Sequence, residues 1–189
     1  HSTLAITDHD TLSGSMEFAH AATAAGLRPI TGAELSICAL PAIGIGHAPD
    51  VLHLTLLVQT ATGYANLCRL ITRSHANTRS GPDRRAIDPV LPIDALQEHA
   101  DGLVCLSGCA RHGLVPHLLA AGRHADAQHA LRWLMSTFGP GNAWVEIQRA
   151  ATRGDRTLAR ALEALADHVG APVVATGDVH AHHPSRAFL

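Results

Sequence analysis

The stretch Pro172-Val173-Val174-Ala175-Thr176-Gly177-Asp178-Val179-His180 reads as an apolar strand that ends in a carboxylate and an imidazole two positions apart. Alternate residues of an extended chain point the same way, so Asp178 and His180 can reach one metal ion or one phosphate. The pattern recurs. Leu4-Ala5-Ile6-Thr7 runs into Asp8-His9-Asp10, His53 opens Leu54-Thr55-Leu56-Leu57-Val58, and Gly102-Leu103-Val104-Cys105-Leu106-Ser107 runs into Gly108-Cys109. Apolar strands bordered by ligand-type side chains point to one site assembled from several strands.

Between these strands the sequence turns helical. Helices are predicted over 14–25, 62–75, 93–99, 114–121, 125–138 and 155–169. The first is closed by Gly26, the fifth by Gly139-Pro140-Gly141 and the last by Gly170, in the position that a helix stop favours. The helix over 62–75 carries Tyr64, Leu67, Leu70 and Ile71 at helical spacing. Strands are predicted at 28–37, 53–59, 103–107, 143–148 and 173–179, besides the first. The segment 39–50, rich in Gly, Pro and Ala, reads as a loop or hairpin, and 77–92 as an exposed loop. Alternation of apolar strands with helices gives an α/β class with a mainly parallel sheet covered by helices, and ligands gathered at strand ends fit the functional rim of a βα barrel. His53 is the exception: it lies at the start of its strand, so either that strand runs the other way or its placement is off.

The 189 residues, 47% of them hydrophobic, suffice for one core, and residues 1–189 are expected to form a single domain. No apolar run approaches the roughly 18 residues that span a bilayer, so no membrane partner is expected. The chain opens on His1-Ser2-Thr3 with no basic, apolar leader, and is expected to begin inside a longer reading frame. Cys38, Cys68, Cys105 and Cys109 stand singly, which reads as reduced thiols in the cytoplasm. A formal charge of −2 without a clustered basic face argues against this segment gripping DNA unaided. All 14 basic residues are Arg, which we read as compositional bias in an Ala-rich chain. The 15 histidines are more informative where they stand at strand ends. There is no phosphate loop of the Gly-x-x-x-x-Gly-Lys kind and no Gly-x-Ser-x-Gly elbow.

Each candidate has two readings. His9 is a metal ligand or a strand-end imidazole, and its neighbours Asp8 and Asp10 either cap the following helix or support the ligand. Glu34 is a solvated strand-end carboxylate or a ligand suited to bridging two metals. His53 is a satisfied edge histidine or a ligand, and Cys109 a small buried thiol or a ligand. Asp178 and His180 form the strongest local pair, whereas His182 and His183 read as loop residues. Glu146 and Gln148 share one strand face and are assigned a structural or supporting role.

In this order, the stretches LAITDHDTLSG (4–14), AAGLRPITGAELSI (24–37), HLTLLVQTATGYANLCRLI (53–71), DGLVCLSGCARHGLV (101–115), AWVEIQR (143–149) and PVVATGDVH (172–180) resemble the PHP (polymerase and histidinol phosphatase) domain, specifically its bacterial C-family DNA polymerase branch. The resemblance implies a distorted (βα)7-type PHP barrel, lacking in this chain the family's first strand with its His-x-His motif, and no polymerase domains within these residues. It implies up to three divalent metal ions, zinc or manganese. Glu34 would bridge two, Asp178 would complete the first, His53 and Cys109 the second, and His9 and His180 would serve a third. Gly177 departs from the family, where Asn is usual.

The function implied is that of the PHP portion of a DNA-directed DNA polymerase, a nucleotidyltransferase, of the error-prone type used in damage-tolerant synthesis. The domain itself would be a metal-dependent phosphoesterase of the 3′–5′ proofreading kind or a structural support. Alternatives are a non-catalytic scaffold in a replicative polymerase III alpha subunit, or a free-standing phosphatase of the histidinol phosphate type. The implied partners are DNA, reached through the full-length polymerase, the remaining polymerase domains, and other replication or repair proteins.

Overall fold

The computed structural model describes residues 1–38, 40–46, 51–76, 78–79, 86–149, 154–177 and 179. Seven strands are present among them: β1 (Thr3–His9), β2 (Arg28–Cys38), β3 (Leu52–Val58), β4 (Leu91–Pro92), β5 (Leu103–Leu106), β6 (Ala143–Gln148) and β7 (Val173–Thr176). The helices are α1 (Ser15–Ala24), α2 (Ala61–His75), α3 (Leu96–His99), α4 (Leu114–Ala120), α5 (His124–Phe138) and α6 (Asp155–Val169). The two-residue β4 was not anticipated, since a pair that includes a proline carries no strand period; it pairs with the end of β2.

The strands form one sheet in the order β1-β2-β3-β5-β6-β7. β2 runs parallel to β1, β3 runs antiparallel to both β2 and β5, and β5, β6 and β7 are parallel. The start of β3 therefore shares a rim with the C-terminal ends of the other strands. This resolves the exception noted for His53.

Period-two alternation divides the sheet's faces. Ala33, Leu35 and Ile37 of β2, Leu52, Leu54 and Leu56 of β3, and Leu103 and Cys105 of β5 are almost fully buried. They share one hydrophobic core with Leu67 and Leu70 of α2, Leu118 of α4, Leu131 and Leu134 of α5 and Leu162 of α6. Each fully buried aliphatic side chain contributes about 1.5–3 kcal/mol to stability. Tyr64, expected in the apolar stripe of α2, is 46% exposed instead. It borders a cleft with Arg28 and Gln59.

The other face mixes polar and apolar side chains and lines a cavity of about 620 Å³. Residues of both edge strands, β1 and β7, border this cavity together with Glu34, Thr55, Leu106, Glu146 and Gln148. The sheet therefore curls far enough for its two edges to face one hollow, as an open barrel does. All four cysteines are free thiols. Among the described residues no helix is long and apolar enough to cross a membrane.

Candidate metal centre

His9, the last residue of β1, stands opposite Glu34 of β2 in the parallel register. The chain then turns at once. Asp10 adopts a left-handed conformation, φ 54°, which aspartate tolerates better than most residues. Its N–H donates to the Glu34 carbonyl at 2.8 Å. The turn folds the Asp10 carboxylate back against its own strand and against β2, where it is 5% exposed. There it accepts the Ser36 N–H and the Ser36 hydroxyl, each at 2.8 Å, and lies 2.7 Å from His9 Nδ1.

The two carboxylates that flank His9 thus divide the roles left open by sequence. Asp8 Oδ2 accepts the Gly14 N–H at 2.9 Å and anchors the start of α1, while Asp10 orients the imidazole. A carboxylate on one ring nitrogen fixes the tautomer and leaves the other nitrogen for an ion, the arrangement usual around ligating histidines. The other nitrogen, Nε2, shares a hydrogen bond with His53 Nε2 at 3.3 Å.

His53 holds the middle of the cluster. Its Nδ1 donates to Glu34 Oε1 at 3.0 Å. Its ring makes edge-to-face contacts with His9, at a centroid distance of 4.5 Å, and with His112, at 5.2 Å. Hydrogen bonds with Cys109 and Glu34 stabilise the imidazolium and raise His53 to about 9. The hydrogen bond to Asp10 raises His9 in the same sense. Burial pushes the carboxyls of Glu34 and Asp10 up, but their hydrogen bonds outweigh it and hold both below the ordinary range. In the absence of an ion, the cluster is a set of charge-assisted imidazole–carboxylate pairs.

Cys109, 8% exposed, comes from the loop between β5 and α4. Two glycines allow that loop to lie against β3. Gly108 has φ 96°, and a Cβ there would strike the His53 carbonyl and the Gly113 backbone; a Cβ on Gly113 would strike Gly108 and Cys109. The loop is fastened by the His53 N–H donating to the His112 carbonyl at 2.8 Å, and by the Ala110 N–H donating to Gln148 Oε1 at 3.0 Å.

The structure therefore brings His9, Glu34, His53 and Cys109 together on one rim. Ligand atoms of His9, Glu34 and His53 lie within 4.8 Å of one another, and so do those of His53, Cys109 and His112. Two donors of a tetrahedral zinc stand roughly 3.3–3.8 Å apart, so small side-chain adjustments suffice to close either group on an ion. Asp178 and His180 lie outside the described residues. His112 was missed by the sequence reading, although its spacing in Cys109-x-x-His112 was a usable signal. Glu146 and Gln148 do not join the cluster. Gln148 Nε2, on the same strand, donates to Glu146 Oε1 at 3.1 Å, and Thr176 Oγ1 donates to it at 2.6 Å, binding β6 to β7.

Comparison with known proteins agrees with this geometry. The family model described as the PHP domain matches residues 1–150. An error-prone DNA polymerase of Symbiobacterium thermophilum is 37% identical over 98% of this chain, which covers 17% of that protein. An error-prone DNA polymerase of Mycobacterium bovis is 36% identical over 98% of the chain and 16% of its own length. The DNA polymerase III subunit alpha of Treponema pallidum is 31% identical over 94% of the chain and 15% of its own length. The chain thus spans about one sixth of these relatives. A solved chain from Bifidobacterium adolescentis, described as a metal-dependent phosphoesterase, shares the fold with a TM-score of 0.57 at 14% identity, over 97% of this chain and 79% of that one. With its ordered motifs, its open seven-stranded sheet and its rim of converging imidazoles and carboxylates, the chain belongs to the PHP-domain family.

Proposed function

We propose that this chain is the PHP portion of a DNA-directed DNA polymerase of the error-prone type, and that its rim binds divalent metal ions for phosphoester hydrolysis at DNA 3′ ends. The observation that carries the hydrolytic reading is the convergence of His9, Glu34, His53 and Cys109 on one rim. Asp178 and His180 complete the proposed ligand set. Mixed imidazole, carboxylate and thiol donors suit zinc or manganese. A divalent ion held there supplies Lewis-acid activation of water and of a phosphoryl oxygen. The chain's own residues prepare the site. Asp10 keeps the His9 ring turned toward the cavity, Glu34 holds His53, and the glycine-lined loop presents Cys109.

The error-prone assignment is supported by the two error-prone relatives, at 37% and 36% identity, against 30–34% for DNA polymerase III alpha subunits that also match. DNA and the remaining polymerase domains are the proposed partners, with nucleotidyl transfer the activity of the intact protein.

The test is metal analysis of the intact protein together with release of nucleotides from a labelled, mismatched 3′ end. Bound zinc or manganese and metal-dependent cleavage that is lost in His53→Ala are expected. Bound metal without cleavage would leave the domain as a support for the polymerase. Primer extension past a damaged template base tests the polymerase assignment, which fails if the intact protein extends no primer at all.

A further inference from the structure

We infer that His112 is a metal ligand, and that with His53 and Cys109 it forms a Cys-x-x-His centre selective for a thiophilic divalent ion of the zinc class. This rests on the proposed reading of the rim as a metal centre and extends it to a residue outside the family ligands carried over by resemblance.

Three observations support the assignment. The donor atoms of His53, Cys109 and His112 lie within 4.8 Å of one another. The loop that carries two of them is built as a tight sulfur-binding turn: the His112 N–H donates to Cys109 Sγ at 3.3 Å, and the Gly113 N–H donates to the Cys109 carbonyl at 2.8 Å. Third, the placement of His112 is over-determined. Its carbonyl accepts the His53 N–H, Gly113 bridges to His53, and its ring meets the His53 ring at 65°.

By contrast, the ring nitrogens of His112 make no hydrogen bond among the described residues, and the side chain is exposed. A carboxylate-rich site would suit magnesium or manganese, whereas one sulfur and two imidazoles favour zinc.

Cobalt(II) is the probe, since its visible spectrum reports coordination number and its near-ultraviolet absorption reports thiolate bonding. Intact wild-type protein is compared with Cys109→Ser, His112→Ala and His112→Cys, with metal-free melting curves to check folding. The expected result is a thiolate-to-cobalt band in the wild type that disappears in Cys109→Ser. His112→Ala should lose tetrahedral visible intensity and bind cobalt and zinc at least about 10-fold more weakly, while His112→Cys should retain affinity and strengthen the thiolate band. If His112→Ala leaves spectrum and affinity unchanged while Cys109→Ser still abolishes the band, His112 is no ligand and the metal-centre reading stands without it. A wild type that binds neither ion overturns both.

Discussion

Two polar clusters share the inner face of the sheet, and they are built in opposite ways. On β6 and β7, Glu146, Gln148 and Thr176 are joined by short hydrogen bonds, and Gln148 also takes the Ala110 N–H. Glu146 and Gln148 are 5% and 9% exposed, and the Thr176 hydroxyl ties Glu146 of β6 to β7. On β1, β2 and β3, His9, Glu34 and His53 are less buried, and the bonds they make are mainly to each other. Polar groups bonded to one another across neighbouring strands stabilise a fold. Ligand-type groups that converge on a cavity while a buried carboxylate fixes their tautomer are arranged for an incoming ion. Function here is read from where hydrogen bonds lead more than from which residues are polar.

Gly113→Ala gives the sharpest test of that contrast. The added methyl would collide with the backbone of Gly108 and Cys109, so the loop must leave β3. Stability should fall by about 3 kcal/mol, with zinc binding lost at temperatures where the chain is still folded. Denaturant unfolding and zinc titration measure the two effects separately. Retention of wild-type zinc affinity would show that the loop does not position the centre.

Asp10→Ala should come next. It leaves the Ser36 donors in a buried place without their acceptor, costing about 2 kcal/mol. It also frees the His9 ring, and zinc affinity should drop about 10-fold to 100-fold. Asp8→Ala, which removes only the anchor of α1, should lower stability by about 1 kcal/mol and leave zinc affinity intact. Equal metal losses in the two variants would break the division of labour drawn between these carboxylates.

The rim should also respond to pH with two opposite slopes. His53 is raised from 6.5 to about 9, so in metal-free protein its contribution is complete below about 6.5 and disappears as pH rises through about 9. An ion must displace that proton, so zinc affinity should strengthen over the same interval. Thermal melts with chelator and zinc titrations at matched pH values check both. A metal-free melting temperature that is flat across this window would contradict the imidazolium–carboxylate pairing.

The smallest effect is expected on β7. Thr176→Val removes the hydroxyl that donates to Glu146 Oε1, costing about 1 kcal/mol with no change in zinc affinity. A loss of metal binding in this variant would erase the distinction between the two clusters.

Much of the architecture is legible because it depends on local physics. The apolar runs at 52–58, 103–106 and 143–148 and the helical period of 155–169 mark their elements within a residue or two, and glycine stops close the helices. His9, Glu34 and His53 could be singled out because a ligand-type residue at the border of an apolar strand is conspicuous. Other features depend on partners distant in the chain. That Asp8 anchors a helix while Asp10 orients His9 follows from the left-handed turn at Asp10 and from Ser36, 26 residues away. The spacing Cys109-x-x-His112 was a signal in the sequence, but the approach of His112 to His53 arises when Gly108 and Gly113 let the loop lie against β3.

The sequence by itself determined the α/β class, the order of elements, the family and most of the rim's ligand-type residues, since side-chain periodicity and turn chemistry act over a few positions. Only the tertiary structure decided the reversed direction of β3, the separate tasks of Asp8 and Asp10, and the meeting of His112 with His53 and Cys109. Strand direction and the closure of loops are set by packing between segments far apart in the chain, and no local pattern encodes them.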